Sequence, residues 1–430
     1  MQPHSMRRGL RLAAFILCLA LLAPAPARAA DTVTEWTLLA DRLGRNLANW
    51  RTTAIMHQAM HDALNAALPT YARWFPPEPN EPPAAGTIPQ AAMIAAATQV
   101  LLSLHWDQRD ETMRTYERAL GGMQDGPERQ AGVRLGAAIG LAAVTRREND
   151  GYGRIHPFST ANGPGQWRHV PPEFTGSNTT ETRPFLSASR HDPAAPPPPA
   201  PGSAALVRDA EEVRRLGGQE GSDRTPAQTD AAYFWAFQSS QRGFPHLAAA
   251  LLDQHPRPGG VPEHARIMSQ LASAMADAAI LAWAEKERFS YWRPVTVLQE
   301  GGFGIEADPG WLPVIETPPH PDYPSGHATD CHTGAGVLSA VFGRLASPVT
   351  YVAQTGVPQA EKAAIGMGQH QQIGRTTPSE RRFPSLAAAA QECANSRIWA
   401  GAHFRTANNE ASRIADGIVG RALAAVPPLR

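Results

Sequence analysis

The sequence predicts an all-α protein made of helical bundles, an N-terminal helical region followed by a C-terminal one. Alanine-rich stretches of helical length recur along the chain, and long β-branched runs are few. The 40 prolines cluster between those stretches. A chain of 430 residues that is 43% hydrophobic and 18% charged is ample for a sizeable core in one or two domains. Lysine plus arginine equals aspartate plus glutamate at 39 each, which gives no support to a nucleic-acid partner or to membrane-surface binding.

Residues 1–29 read as a cleaved export signal. Arg7, Arg8 and Arg11 make a basic start, and Leu12 to Ala23 is apolar but short for a membrane span. Ala27-Arg28-Ala29 fits the small-x-small cleavage pattern. No later segment reads as a stable membrane span, so a secreted or periplasmic protein is expected. Residues 30–150 read as helices, clearest at Asn49–Ala67, Ala91–His105 and Gln130–Arg147. Residues 151–225 hold a Pro/Gly-rich connection, expected to wrap over a helical surface, and a helix at Ser203–Leu216. Residues 226–430 form the second helical region, with long helices at Glu263–Trp292, Gly326–Phe342, Ser385–Ala400 and Ala411–Val426. Ala59-Met60-His61-Asp62-Ala63 is echoed by Ala274-Met275-Ala276-Asp277-Ala278, either by accident or through duplication of a bundle.

Three segments of the second region carry chemistry. Lys286 and Arg293 are seven residues apart, two turns along one helix face, and Pro294 should kink or end that helix. In His320-Pro321-Asp322-Tyr323-Pro324-Ser325-Gly326-His327 a proline-rich loop enters a helix at Ser325-Gly326, where free backbone N–H groups favour an anion. Arg397 and His403 are six residues apart, about 120° around an ideal helix, so a break near Gly401 is needed if both reach one ligand. Three cations, a helix start and two histidines suit a tetrahedral oxyanion that passes to five-coordinate geometry. Arginine gives paired hydrogen bonds, and a histidine exchanges protons near neutrality.

The combination Lys-x6-Arg-Pro, Pro-Ser-Gly-His and Ser-Arg-x5-His resembles the superfamily that joins vanadium-dependent haloperoxidases with type 2 phosphatidic acid phosphatases (PAP2). All three parts are complete between Lys286 and His403. Trp50 to Pro69, Pro184 to Leu216 and Thr317 to Thr329 are similar to secreted bacterial haloperoxidase-type proteins. The resemblance implies an oxyanion held by Lys286, Arg293 and Arg397, by the Ser325 hydroxyl and by the Gly326 N–H. It implies His403 as the axial vanadate ligand or the phosphate-accepting nucleophile, and His327 as the acid–base residue. The implied cofactor is vanadate, and phosphate may occupy the same site.

Two reactions fit that resemblance. A haloperoxidase takes hydrogen peroxide, a halide and a small organic acceptor, with Lys286 polarising peroxide. A PAP2-type acid phosphatase cleaves phosphate esters through a phosphohistidine. Trp283, three residues before Lys286, matches a tryptophan on the halide side of chloroperoxidases. His320, five residues before Ser325, stands where bromoperoxidases carry histidine. The haloperoxidase reading, with bromide as halide, is therefore preferred. An oligomer is left open.

Without the signal two cysteines remain, Cys331 and Cys393, which either pair or stay as separate buried thiols. Each lies one helical turn from a residue of the implied site, His327 and Arg397, which favours a disulfide between the two site helices. The resemblance also implies a carboxylate partner for Arg397, for which Asp223 and Asp230 are candidates. His57 and His61, with Asp62 beside them, have metal-ligand spacing but are expected to be structural. His332 and Arg405 flank the signature segments and either support the site or lie on the plain surface.

Overall fold

The computed structural model describes residues 32–44, 49–169, 178–236, 240–352 and 380–429. The export segment therefore lies outside the described residues. Thr32–Arg430 forms one compact unit.

Among the described residues there are thirteen α-helices: α1 (Thr32–Leu43), α2 (Asn49–Ala67), α3 (Pro89–Leu104), α4 (Arg109–Gly121), α5 (Pro127–Thr145), α6 (Ala204–Gly217), α7 (Pro226–Ala236), α8 (Ser240–Gln254), α9 (Gly260–Phe289), α10 (Pro294–Glu300), α11 (Gly326–Phe342), α12 (Leu386–Trp399) and α13 (Arg405–Ala424). One short antiparallel pair, β1 (Val349–Val352) with β2 (Glu380–Phe383), departs from the all-helical expectation. Its register sets Val349 opposite Phe383 and Tyr351 opposite Arg381.

Local chemistry explains the helix ends. Ser203, Ser325 and Ser385 each sit in extended backbone as N-caps, accepting from the N–H groups of Leu206, Ala328 and Ala388. Pro89, Pro127 and Pro294 occupy first-turn positions, where the missing N–H costs nothing. On α5, Gly132, Gly136 and Gly140 recur every fourth residue against α3. A methyl at Gly136 would fall 1.9 Å from the Ala92 carbonyl oxygen, so only glycine permits this approach.

The N-terminal and C-terminal helices share one core. Helices α2, α3 and α5 pack on one another much as α9, α11 and α13 do, and α2 meets α9 directly. At that contact Gln58 Nε2 donates to Ser273 Oγ at 3.0 Å. These residues stand four positions before Asp62 and Asp277, the aspartates of the repeated pentapeptide. Each aspartate is buried and takes consecutive backbone N–H groups from a loop. Asp62 takes those of Trp74 (2.7 Å) and Phe75 (3.1 Å), and Asp277 those of Phe185, Leu186 and Ser187 (2.5 to 3.1 Å). The echo thus marks two aspartates doing the same job in two bundles.

Helix α9 corrects one expectation. Against the expectation that no later segment reads as a membrane span, its length and composition would allow it to cross one, but its apolar window is 94% buried inside the protein. It is the central core helix. The proline-rich connection is tied down along it. Trp167 N–H donates to the Ser290 carbonyl (2.7 Å), Tyr291 Oη to that of Pro199 (2.6 Å), and His191 Nδ1 lies 2.7 Å from the buried Glu285.

Candidate oxyanion site

The first site segment is built differently from its sequence expectation. Helix α9 ends at Phe289, and Ser290 turns left-handed at φ 40°. Arg293 is extended, as the residue before a proline must be, and caps α10. Lys286 and Arg293 therefore do not share a helix face; a turn between two helices brings them together. Lys286 is fully buried, and its Nζ donates to the carbonyls of Pro321 (2.8 Å) and Asp322 (3.0 Å). Arg293 donates from Nε to the His320 carbonyl (2.8 Å) and from Nη1 to that of Ala402 (2.5 Å). One guanidinium thus fastens the second segment to the third.

In the second segment, Ser325 is buried at the start of α11, with its N–H donating to the Ala407 carbonyl of α13 at 3.1 Å. A methyl built on Gly326 would meet only Lys286 Cε, at 3.9 Å, so this helix start and Lys286 face one space. His327 is half-buried and close enough to His320 to disfavour a charge there.

In the third segment, α12 stops at Trp399, and the chain reverses through Gly401 at φ 75° before α13 begins at Arg405. A methyl at Gly401 would lie 2.6 Å from the Gly217 carbonyl oxygen. Arg405 holds the reversal by donating to Glu212 of α6 (2.6 and 3.1 Å) and to Asn395 of α12 (2.6 Å). The break directs His403 inward. Its Nδ1 lies 2.8 Å from Asp322 Oδ1, and its Nε2 lies 3.2 Å from Arg293 Nη1.

Electrostatics follow from burying like charges together. Burial, and then the charge of Arg293, holds the Lys286 ammonium well below the usual lysine range. Burial also lowers Arg293 to about 10, and lowers Arg397 to about 9 with help from Arg293. Burial and the surrounding cations keep His403 far below the ordinary histidine value. Asp322 is pushed up to about 7 by burial, against the pull of Arg293 and Lys286. Burial thus favours a neutral His403, whose Nδ1 faces Asp322 and whose Nε2 lies beside Arg293.

An oxyanion fits this arrangement. Arg397 Nε and Nη1 are buried and find no hydrogen-bond partner among the described residues. Bringing three cations together in low dielectric is costly unless an anion compensates. For such an ion Lys286, Arg293 and Arg397 could supply charge, Ser325 and the Gly326 N–H donors, and His403 Nε2 a ligand or nucleophile.

On one side, Trp283 meets His320 edge-to-face at 4.7 Å, and Lys286 Nζ stands 5.9 Å from the Trp283 ring centre. The His320 ring lies 6.4 Å from that of His403, and Arg293 Nη2 is 3.0 Å from His320 Nδ1.

Some sequence candidates lie elsewhere. Asp223 pairs with Arg215 on the surface at 3.2 Å, and Asp230 is exposed on α7, so neither partners Arg397. The carboxylate of the site is Asp322, whose motif was read without assigning it a role. His57 Nε2 is 3.1 Å from Thr37 Oγ1 and His61 Nε2 is 2.9 Å from the Ala72 carbonyl, so the first ties α2 to α1 and the second ties α2 to the loop that follows it. Cys331 and Cys393 form a disulfide joining α11 to α12, the helices that carry Ser325 and Arg397.

The fold and site define a class: a two-bundle helical protein with three buried cations, Lys286, Arg293 and Arg397, around a buried histidine. Residues 266–427 match the family model of the VCPO second helical-bundle domain. Vanadium chloroperoxidase of Curvularia inaequalis is 28% identical over 198 residues, 39% of this chain and 32% of that protein. The chain thus matches about a third of that relative's length. A crystal structure described as the first bacterial vanadium-dependent iodoperoxidase superposes with TM-score 0.71 at 20% identity, covering 95% of this chain and 99% of that one. An apo-type bacterial vanadium-dependent chloroperoxidase gives TM-score 0.63 at 17% identity, covering 88% and 95%. The chain therefore has the helical-bundle fold of the bacterial vanadium haloperoxidases.

Proposed function

We propose that this chain is a vanadium-dependent haloperoxidase that oxidises a halide, bromide in the first place, with hydrogen peroxide. The observation that carries the reading is the Trp283–His320 pair packed beside His403 and Arg293. A phosphate-binding site alone has no use for an aromatic wall there. The match to a vanadium chloroperoxidase and the likeness in fold support the same reading.

Vanadate, when bound, supplies a Lewis-acidic centre that activates peroxide toward a halide without changing its own oxidation state. The protein's part is positioning and charge. His403 presents an unprotonated Nε2, with Asp322 fixing the tautomer through Nδ1. Lys286, Arg293 and Arg397 neutralise the oxyanion, and Arg397 keeps two buried donors for it. Ser325 and the Gly326 N–H complete the cradle at the start of α11. His327 holds and moves a proton at its imidazole. Trp283 and His320 line the halide side, from which an oxidised halogen passes to a small organic acceptor. A secreted or periplasmic location is proposed on the strength of the basic–apolar segment at residues 1–29 and the Cys331–Cys393 disulfide.

The test begins with protein prepared free of phosphate, half of it loaded with orthovanadate. Peroxide-dependent bromination in the loaded half, with weak hydrolysis of an aryl phosphate in the other, is the expected result. Brisk hydrolysis without bromination would make the chain a phosphatase acting through a phosphohistidine at His403.

A further inference from the structure

We propose that Phe158, delivered by the proline-rich connection, is a positioning residue that sets halide discrimination through Trp283 and His320. The inference rests on the haloperoxidase reading and extends it to a residue far from the three signature segments. The Phe158 ring is 3% exposed and stacks on Trp283 at 6.1 Å with the planes 21° apart. Trp283 also meets the edge of His320 at 4.7 Å. Its indole is therefore held between a ring from the connection and a ring of the site loop. Phe158 is itself braced edge-on by Trp167 (5.9 Å, 88°), whose N–H donates to the Ser290 carbonyl. The brace thus starts from the turn that separates Lys286 from Arg293.

A halide is a polarisable anion, and aromatic ring edges offer it partial positive charge in a dry wall. A tryptophan on a helix surface has rotamer freedom, and stacking removes it. Without the Phe158 ring, Trp283 can swing and water can enter beside His320. Bromide is smaller than iodide and gains more from fixed ring-edge charge at contact, so a loosened wall costs bromide more.

The experiment compares wild type, Phe158→Ala, Phe158→Leu and Phe158→Tyr, full-length and vanadate-loaded. Steady-state kinetics with bromide and iodide are measured, together with bromide binding by NMR line broadening and vanadate affinity by calorimetry. Phe158→Ala is expected to raise the bromide KM about tenfold with kcat changed by less than about threefold. The bromide-to-iodide ratio of kcat/KM and the line broadening should both fall while vanadate affinity holds. Phe158→Tyr should keep wild-type discrimination, and Phe158→Leu carries the test if the alanine variant does not fold. An unchanged ratio and unchanged line broadening in the alanine and leucine variants overturn the role of Phe158 alone. So does a parallel loss of both halide activities and vanadate affinity, the mark of a merely structural residue. A wild type that oxidises neither halide overturns the functional reading, and this inference falls with it.

Discussion

Asp322 Oδ1 lies 2.8 Å from His403 Nδ1, with both side chains buried. The carboxylate fixes which imidazole nitrogen carries the proton and raises the basicity of the other. Replacing Asp322 with asparagine keeps the shape and removes the charge. Orthovanadate affinity should fall about 10- to 100-fold, and halide oxidation with it. Calorimetric titration of orthovanadate checks the first and peroxide-dependent bromination the second.

Lys286 is held well below its usual range by burial and by Arg293 and Arg397, so an anion between them restores its charge. Binding therefore takes up a proton wherever the pH lies between the depressed value of the empty site and the higher value of the filled one. Across that window affinity must fall as pH rises. Sulfate is a useful probe because it does not titrate there. Its affinity should decline with rising pH, and Lys286→Met should flatten the decline.

The disulfide joins α11 to α12 across 62 residues of sequence. Replacing both Cys331 and Cys393 with serine should lower the free energy of unfolding by about 2–4 kcal/mol. The same change should weaken phosphate binding, because Ser325 and Arg397 ride on the two joined helices. Urea unfolding and phosphate titration of the double variant measure the two effects.

His57 and His61 are buried neutral, and burial lowers them to about 3 and about 4. Unfolding exposes them at their ordinary value near 6.5, so the unfolded chain binds more protons below that pH. Stability must fall as the pH drops from about 6.5 toward 4, each histidine adding a slope of about 1.4 kcal/mol per pH unit. His57→Gln should remove one proton's share of that slope. Urea midpoints measured across this range test it.

The helices were legible because alanine-rich runs and serine or proline caps act locally. Asn49–Ala67 and Gly326–Phe342 keep their expected bounds. The site was legible because its signature segments keep their spacing whatever the fold between them. What escaped is decided by tertiary contact. The left-handed Ser290 turns a two-turn spacing into a corner, which no periodicity announces. Asp322 sits inside a quoted motif, yet only the fold shows that it faces His403 and not Arg397. Phe158 lies among prolines and glycines, and nothing local says that its ring reaches Trp283. Arg405 supports the site through its ties to Glu212 and Asn395, which no local pattern announces.

The central claim is that cations from two helix corners and an imidazole grip one tetrahedral ion. Orthovanadate titrated calorimetrically into wild type, His403→Ala and Arg397→Ala measures this directly. One ion per wild-type chain is predicted, with affinity reduced at least about tenfold in each variant. Equal affinity in all three proteins would show that vanadate binds elsewhere and would contradict the account.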